Sequence, residues 1–193
     1  MRETEITVQV FDSINIIIEK LKNLDFYIIE KYEMTDYYFS KLSNEDLKNL
    51  SYSSLIKNSF LVRDIKDKNP KILLTFKDKT LDECNNVISE EKIFTKVDNL
   101  EKTLKIFNNI NLNCWCTLNQ KMIVYKKDNL EFALQIIDGL GVFIEYEEDD
   151  SMKTLSEYEK INLMKSNLLS LGLNLGEDYS CKKVYMKFLK ENN

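Results

Sequence analysis

Nine short segments of the sequence have the composition and spacing of β-strands, and this limits the fold more than any other feature. In "EITVQVF", the residues Ile6, Val8 and Val10 share one face of a strand, and the polar residues between them share the other. The remaining segments are "YIIEKY", "DYYFS", "FLVRDI", "KILLTFK", "CWCTLN", "KMIVYKK", "LEFALQII" and "GVFIEYEE". Together they predict a large, mainly antiparallel sheet.

Two amphipathic helices are predicted among the strands, and they resemble each other. "DSINIIIEKLKNLDF" begins at Asp12 and "DNLEKTLKIFNNINL" begins at Asp98, so that an Asp is available to cap each start. Their apolar positions coincide from the cap to the exit, which favours a duplicated unit. We therefore predict a single α+β domain over 1–193, with an internal pseudo-repeat of roughly 5–95 and 96–150 and two further amphipathic helices at the C-terminus.

Two arrangements of the sheet remain open at this stage. In "KILLTFK", Lys71, Thr75 and Lys77 share the face opposite Ile72 and Leu74. In a sandwich, such a polar face contacts water. If the helices instead cover the apolar faces and the sheet closes, the polar faces line a wet interior.

Composition excludes several classes of function. The chain of 193 residues has a net charge of −5, which argues against nucleic acid as a partner. It contains no histidine, which removes the common nucleophile systems and the commonest general base. Its four cysteines form no CxxC pair, and Cys114 and Cys116 in "CWC" are expected to pack as small buried residues. No signal peptide or membrane span is expected, so we predict a cytoplasmic protein with reduced thiols.

An acidic row ends the predicted sheet. In "GVFIEYEEDD", Glu145, Glu147 and Asp149 occupy alternate positions, so they would share one strand face. From the residues alone, a solvated face and a cation site are both consistent with this row.

The order of the motifs resembles the CYTH superfamily of triphosphate tunnel proteins, which includes class IV adenylyl cyclases and thiamine triphosphatases. "EITVQ" is similar to the opening ExExK strand, Asp36-Tyr37-Tyr38-Phe39 to the D-x-Y-F segment, and "GLGVFIEYE" to the late GLGxFxExE motif. "FLVRDI" keeps Arg63 of an LRxR-type strand, and "LLTFK" keeps Lys77 of an LTYK strand.

The resemblance implies a closed or nearly closed antiparallel eight-stranded β-tunnel with helices packed outside. It also implies a divalent metal, Mg²⁺ or Mn²⁺, on Glu5, Glu145 and Glu147, and a triphosphate such as ATP on Arg63 and Lys77. Lys71, on the same strand face as Lys77, is a further candidate for the triphosphate. No catalytic residue is assigned.

Several positions depart from the family pattern. Neutral residues stand at the expected charged places Thr7, Gln9, Leu61, Met122 and Gln135, and Lys121 would face the other side of its strand. If the opening motif is aligned through Glu3 and Glu5 instead, one of its missing carboxylates is restored. The resemblance is nearest to a class IV adenylyl cyclase, which converts ATP to cyclic AMP and pyrophosphate, at low activity. The alternatives are a catalytically reduced binding or regulatory protein, a thiamine- or inorganic-triphosphate hydrolase, and a domain that binds a protein partner. The oligomeric state stays open, with a homodimer among the alternatives.

Overall fold

The strands form one antiparallel sheet in the computed structural model, which describes residues 2–192 and, at positions 2, 56 and 58, the backbone alone. Their order across the sheet is β1-β6-β5-β4-β3-β7-β8-β9-β2. The strands are β1 (Arg2–Glu3), β2 (Glu5–Val10), β3 (Tyr27–Ser40), β4 (Asn58–Lys66), β5 (Lys71–Leu81), β6 (Val87–Val97), β7 (Asn113–Lys127), β8 (Leu130–Ile137) and β9 (Gly141–Glu147).

The first strand joins the two ends of this sheet. β1 and β2 follow each other with Thr4 between them; β1 pairs with β6 and β2 pairs with β9. The two segments therefore act as one strand, and the sheet is a strongly curled, nearly closed tunnel of eight strands. The predicted fold class is confirmed.

Helices lie alongside the sheet. α1 begins directly after β2, α4 links β6 to β7, and α5 and α6 follow the last strand. The C-terminal helices that the apolar spacing predicts are present, and Ser156 and Glu159 form a capping box at the start of α5. The helices are α1 (Ile14–Asn23), α2 (Asn44–Lys48), α3 (Tyr52–Lys57), α4 (Leu100–Asn109), α5 (Glu157–Leu169) and α6 (Lys183–Asn192).

The apolar strand faces lie outward, beneath the helices. Ile6, Val8 and Val10 of β2 are buried in one cluster with residues of α1 and α5. A second outer cluster packs Phe107 of α4 on Phe39 and the strands beside it. This arrangement settles the question that the strand pattern left open, because the polar faces are left to line the tunnel.

One end of the tunnel is filled with apolar side chains. Tyr38, Leu61 and Phe143 form a buried cluster inside the sheet, against residues of α6. Phe188 of α6 packs on the outer side of this end together with α2 and α3. The tunnel is therefore closed here, and its polar part lies toward the other end.

The chain contains two similar runs of elements that nearly coincide with the predicted repeat units. One is β2-α1-β3-β4-β5, with the short helices α2 and α3 between β3 and β4, and the other is β6-α4-β7-β8-β9, so the predicted boundary between residues 95 and 96 falls within β6. The chain also leaves α1 and α4 in the same way, because the residues just beyond them, Asp25 and Asn111, both have a positive φ. The expected Asp caps are wrong: the N-cap residues are Ser13 and Asn99, and the Asp12 carboxylate instead accepts hydrogen bonds from Asn174 N–H and Lys20. Common ancestry of the halves stays a prediction.

The sheet differs from the sequence pattern in three places. The paired segments within β3 and within β7 are single long strands, and β6 was not expected at all. In β7 the pairing shifts between Cys114 and Cys116, so Cys116 is buried as expected whereas Cys114 is exposed. No helix within residues 2–192 has both the length and the apolar character needed to cross a membrane.

Candidate functional site

The tunnel contains a small cavity that opens into a wide cleft. The cavity has a volume of about 60 Å³ and the cleft about 850 Å³. Met34, Arg63 and Glu145 line both, so the two spaces are continuous. Besides Arg63 and Glu145, the charged residues that line the cavity lie on the strands and at the start of α6. They are Glu5, Asp36, Lys77, Lys79, Lys182 and Lys183.

Three carboxylates meet where the cavity joins the cleft. Glu5 and Glu147 are directly paired across β2 and β9, and Glu145 is two residues earlier on the same strand face. One oxygen atom from each side chain lies within 4.8 Å of the others. Oxygen ligands around one Mg²⁺ lie at most about 4 Å apart, because each is 2.0–2.1 Å from the ion. The donor set therefore fits a hard divalent cation after a small closure of the side chains.

A lysine ammonium sits among the same carboxylates. Lys92 Nζ is 2.6 Å from Glu147, 3.1 Å from Glu5, 3.2 Å from Glu90 and 3.7 Å from Glu3. Like charges that face each other across two strands repel. Lys92 offsets this repulsion, and the arrangement shows that the carboxylate cluster accommodates a cation.

The comparisons with known proteins cover nearly the whole chain. No protein-family model matches it. A protein of Methanocaldococcus jannaschii that carries the name "Putative adenylate cyclase MJ0240" is 26% identical over 187 residues, which are 97% of this chain and 98% of that protein.

Solved structures decide the fold. A protein from Pyrococcus horikoshii has a TM-score of 0.71 at 19% identity, covering 96% of this chain and 98% of its own. A Hippeastrum protein, called a "putative adenylyl cyclase" with a dominant triphosphatase activity, has a TM-score of 0.62 at 17% identity, covering 98% and 96%. The chain has the fold of these proteins, a strongly curled antiparallel sheet of eight strands with helices alongside. At these identities, the solved structures establish the fold alone.

Ion pairs hold the cationic side chains of this cavity in place. Arg63 donates from Nε and Nη2 to the two oxygens of Asp36, at 2.7 Å each, and Asp36 is 1% exposed. Lys77 donates to Glu90 at 2.9 Å. Both residues that were predicted to bind the triphosphate, Arg63 and Lys77, thus line the cavity, and each has an anionic partner. Lys71 does not: it is exposed at the first residue of β5 and lines neither the cavity nor the cleft.

The neutral positions of the CYTH pattern face the tunnel without adding charge. Leu61 is fully buried in the apolar cluster, and Met122 is buried opposite Gln135. Gln135 accepts a hydrogen bond from Lys183, while its amide nitrogen has no partner within the described part of the chain. Lys121 is exposed, as its place on the other strand face implies.

Sequence reasoning missed five charged residues that line the cavity or form ion pairs with residues that line it. Glu90 and Lys92 lie on β6, which was not predicted, and Lys79 lies two residues beyond Lys77 on the same strand face. If the predicted strand "KILLTFK" is extended into the following "DKTL", alternation places Lys79 on the same face as Lys77, and this could have indicated Lys79. Lys182 and Lys183 follow the "YS" segment, which seals the edge of β2: Thr7 donates from its backbone to Tyr179 and accepts from Cys181, at 3.0 Å each.

Burial and neighbouring charges shift the pKa values within the cavity. Burial raises the pKa of Glu5, but Lys77 and Lys92 outweigh it and the net shift is downward. Burial likewise opposes the effect of Lys77, Lys79 and Lys92 on Glu90, and the lysines lower its pKa to about 2. Burial is the main cause of the raised pKa of Glu147, although Lys92 opposes it. At neutral pH, Glu5 and Glu90 are therefore ionised.

Proposed function

We propose that this chain binds a triphosphate together with a divalent metal in the tunnel, and turns it over as an adenylyl cyclase or a triphosphatase. The observation that carries the proposal is the convergence of Glu5, Glu145 and Glu147 with Arg63 and Lys77 on one cavity and its opening into the cleft. The names of the Methanocaldococcus and Hippeastrum relatives support the same reaction classes.

Each side of the cavity has a distinct task in this proposal. A divalent ion on the three glutamates would neutralise phosphate charge and orient the reacting phosphoryl group. Arg63 keeps its Nη1 group for a phosphate oxygen while Asp36 fixes the guanidinium plane. Lys77 must exchange Glu90 for the ligand or share its ammonium between them. Reactions of this kind rest on positioning and electrostatics, which suits a chain without histidine.

The ion pairs also favour a second candidate, a binding protein with reduced catalysis. Arg63, Lys77 and Lys92 already have carboxylate partners, so the ligand competes with them for these cations. Competition of this kind weakens both ground-state and transition-state contacts. The two candidates differ in turnover and agree on binding.

The test combines thermal unfolding with product analysis. The protein is heated with Mn²⁺ or Mg²⁺, alone and with ATP, thiamine triphosphate or inorganic triphosphate, and the samples are assayed for phosphate, pyrophosphate and cyclic AMP. A ligand at a hundred times its Kd stabilises by about 2.7 kcal/mol. We expect a metal-dependent shift that Glu145→Gln and Lys77→Met abolish, and that the exposed control Glu101→Gln retains. A shift without products would favour the binding protein, and no shift with any triphosphate would exclude both.

A further inference from the structure

One edge of the sheet stays open beyond β1. β6 pairs with β5 from Val87 to Val97, whereas β1 pairs with the other edge of β6 at Glu90 and Glu91 alone. From Ile93 onward, that edge has no strand paired with it in the part of the chain that the structure describes. The backbone N–H and C=O groups that point away from β5 are therefore available to another strand.

The side chains along this open edge are exposed to solvent. Ile93 is 60% exposed and Phe94 is 63% exposed. Thr95 and Lys96, which follow them, are exposed as well. Natural sheets protect an open edge with several charges, a proline or a bulge. The segment here carries one lysine and no proline, and the register shift between β5 and β6 lies at the far end, at Leu81. The edge thus has the properties of a pairing surface.

The outer face of the sheet beside this edge is apolar. Phe60 of β4 belongs to the outer cluster under α4, and Phe76 of β5 is paired directly with it. Ile93 is in turn paired with Phe76, so all three side chains point outward. Phe76 is 38% exposed, which shows that α4 covers this row in part. A strand added to the edge would extend the apolar row.

We propose that the edge from Ile93 to Val97 pairs with the same edge of a second copy of this chain, in antiparallel orientation about a two-fold axis at Thr95. A closed two-fold interface uses the same surface on both subunits. With the axis at Thr95, every residue of the free edge in one copy lies opposite a residue of the free edge in the other. Ile93 then lies opposite Val97 on the outer face, and Lys96 lies opposite Phe94, whose ring attracts an ammonium.

The neighbouring two-fold axes fit this edge less well. An axis perpendicular to the sheet keeps the outer faces of both copies on one side, so it passes between a residue and its own counterpart. With the axis one residue earlier, Val97 would lie opposite Glu91, where Arg2 of β1 is already paired. With the axis one residue later, two Lys96 ammonium groups would be directly opposed and would repel. An axis at Thr95 avoids both conflicts.

The interface is small, because it consists of one short strand from each copy. Weak and transient complexes have interfaces at the low end of the size range, so the dimer should form at high protein concentration and dissociate on dilution. Residues 93–97, all of which the structure describes, line neither the cavity nor the cleft. The dimer is therefore independent of the proposed function.

The test uses Thr95, because its side chain is exposed in the single copy and opposes its own counterpart in the dimer. Dimerisation of the full chain is measured by sedimentation velocity over a wide range of concentration. We expect Thr95→Lys and Thr95→Glu each to dimerise about fivefold more weakly than the wild type, because like charges are opposed. An equimolar mixture of the two variants should dimerise about tenfold more tightly than either alone, because opposite charges then meet.

The matched controls are Thr154→Lys and Thr154→Glu, at an exposed threonine outside the sheet, and they should dimerise like the wild type. Thermal unfolding at low concentration should give the same Tm for Thr95→Lys and Thr154→Lys, because both positions are exposed. A wild type that is monomeric at every concentration would overturn the proposal. Equal dimerisation of Thr95→Lys and Thr154→Lys, or a mixture no tighter than the separate Thr95 variants, would overturn it as well.

Discussion

Single residues at this site act through their counter-ions. Glu5 faces Glu147 across two strands, and Lys92 lies between them. Asp36, which entered the sequence comparison only as part of the D-x-Y-F segment, fixes Arg63. The resemblance to the CYTH superfamily implied that the three glutamates share a site, whereas strand alternation alone placed only Glu145 and Glu147 of the three on one strand face. The sequence could not predict their partners, because these depend on which strands become neighbours.

Replacing Lys92 with Met should tighten divalent-cation binding. The ammonium is within 4.0 Å of four carboxylates, so its removal leaves their repulsion to be offset by the metal. We expect Mn²⁺ to bind about tenfold more tightly by calorimetry, whereas the free variant loses on the order of 3 kcal/mol of stability, as when a buried ion pair is broken. Lys92→Arg, which keeps the charge, is the control. Weaker Mn²⁺ binding by Lys92→Met would show that Lys92 supports the metal site.

The lowered pKa of Glu90 predicts a loss of folding stability in acid. Its pKa is lowered to about 2, below the ordinary 4.5, so its contribution is complete above pH 4.5 and is lost as the pH falls toward 2. The contribution is roughly 3 kcal/mol. Chemical denaturation at pH 5, 3.5 and 2 should show this loss in the wild-type chain and in Glu101→Gln, and a smaller one in Glu90→Gln. Equal pH dependence in all three would contradict the assignment.

At the scale of elements, β6 is the strand that the sequence pattern did not predict, and it carries Glu90 and Lys92. Its buried positions include the polar residues Ser89 and Glu90, and its exposed positions include the apolar Ile93 and Phe94. Ser89 and Glu90 are consecutive, as are Ile93 and Phe94, so each pair occupies both strand faces and the usual alternation of apolar and polar residues is absent. Helices α1 and α4 were predictable, since their apolar stripes contact the sheet in the usual way.

Helix α4 should stabilise the sheet without contributing to the cavity. Phe107 is 8% exposed and its ring centroid lies 5.1 Å from Phe39 and 5.3 Å from Phe60. Phe107→Ala is expected to cost about 3–5 kcal/mol in denaturant unfolding, whereas its exposed neighbour Ile106→Ala should change stability by less than about 0.5 kcal/mol. Triphosphate affinity should be the same in both variants under conditions where both are folded. A selective loss of affinity in Phe107→Ala would indicate that α4 also shapes the site.

At the scale of the whole molecule, the sheet is apolar outside and polar inside. The helices cover the outer face, and the tunnel holds the ion pairs in a cavity that narrows toward an apolar end. The eight-stranded tunnel was predictable from the order of the motifs. The closure of its wall by residues 179–181 was not, because it depends on backbone hydrogen bonds between distant parts of the chain.

The central claim is that this cavity binds a triphosphate in a metal-dependent manner. The most direct measurement is a calorimetric titration of inorganic triphosphate into the wild-type chain with Mn²⁺ and with EDTA, repeated with Glu145→Gln and the control Glu101→Gln. We expect Mn²⁺ to increase the affinity of the wild type and of Glu101→Gln at least tenfold, and to have little effect on Glu145→Gln. Equal affinity of the wild type with Mn²⁺ and with EDTA, or no binding in either, would contradict the claim.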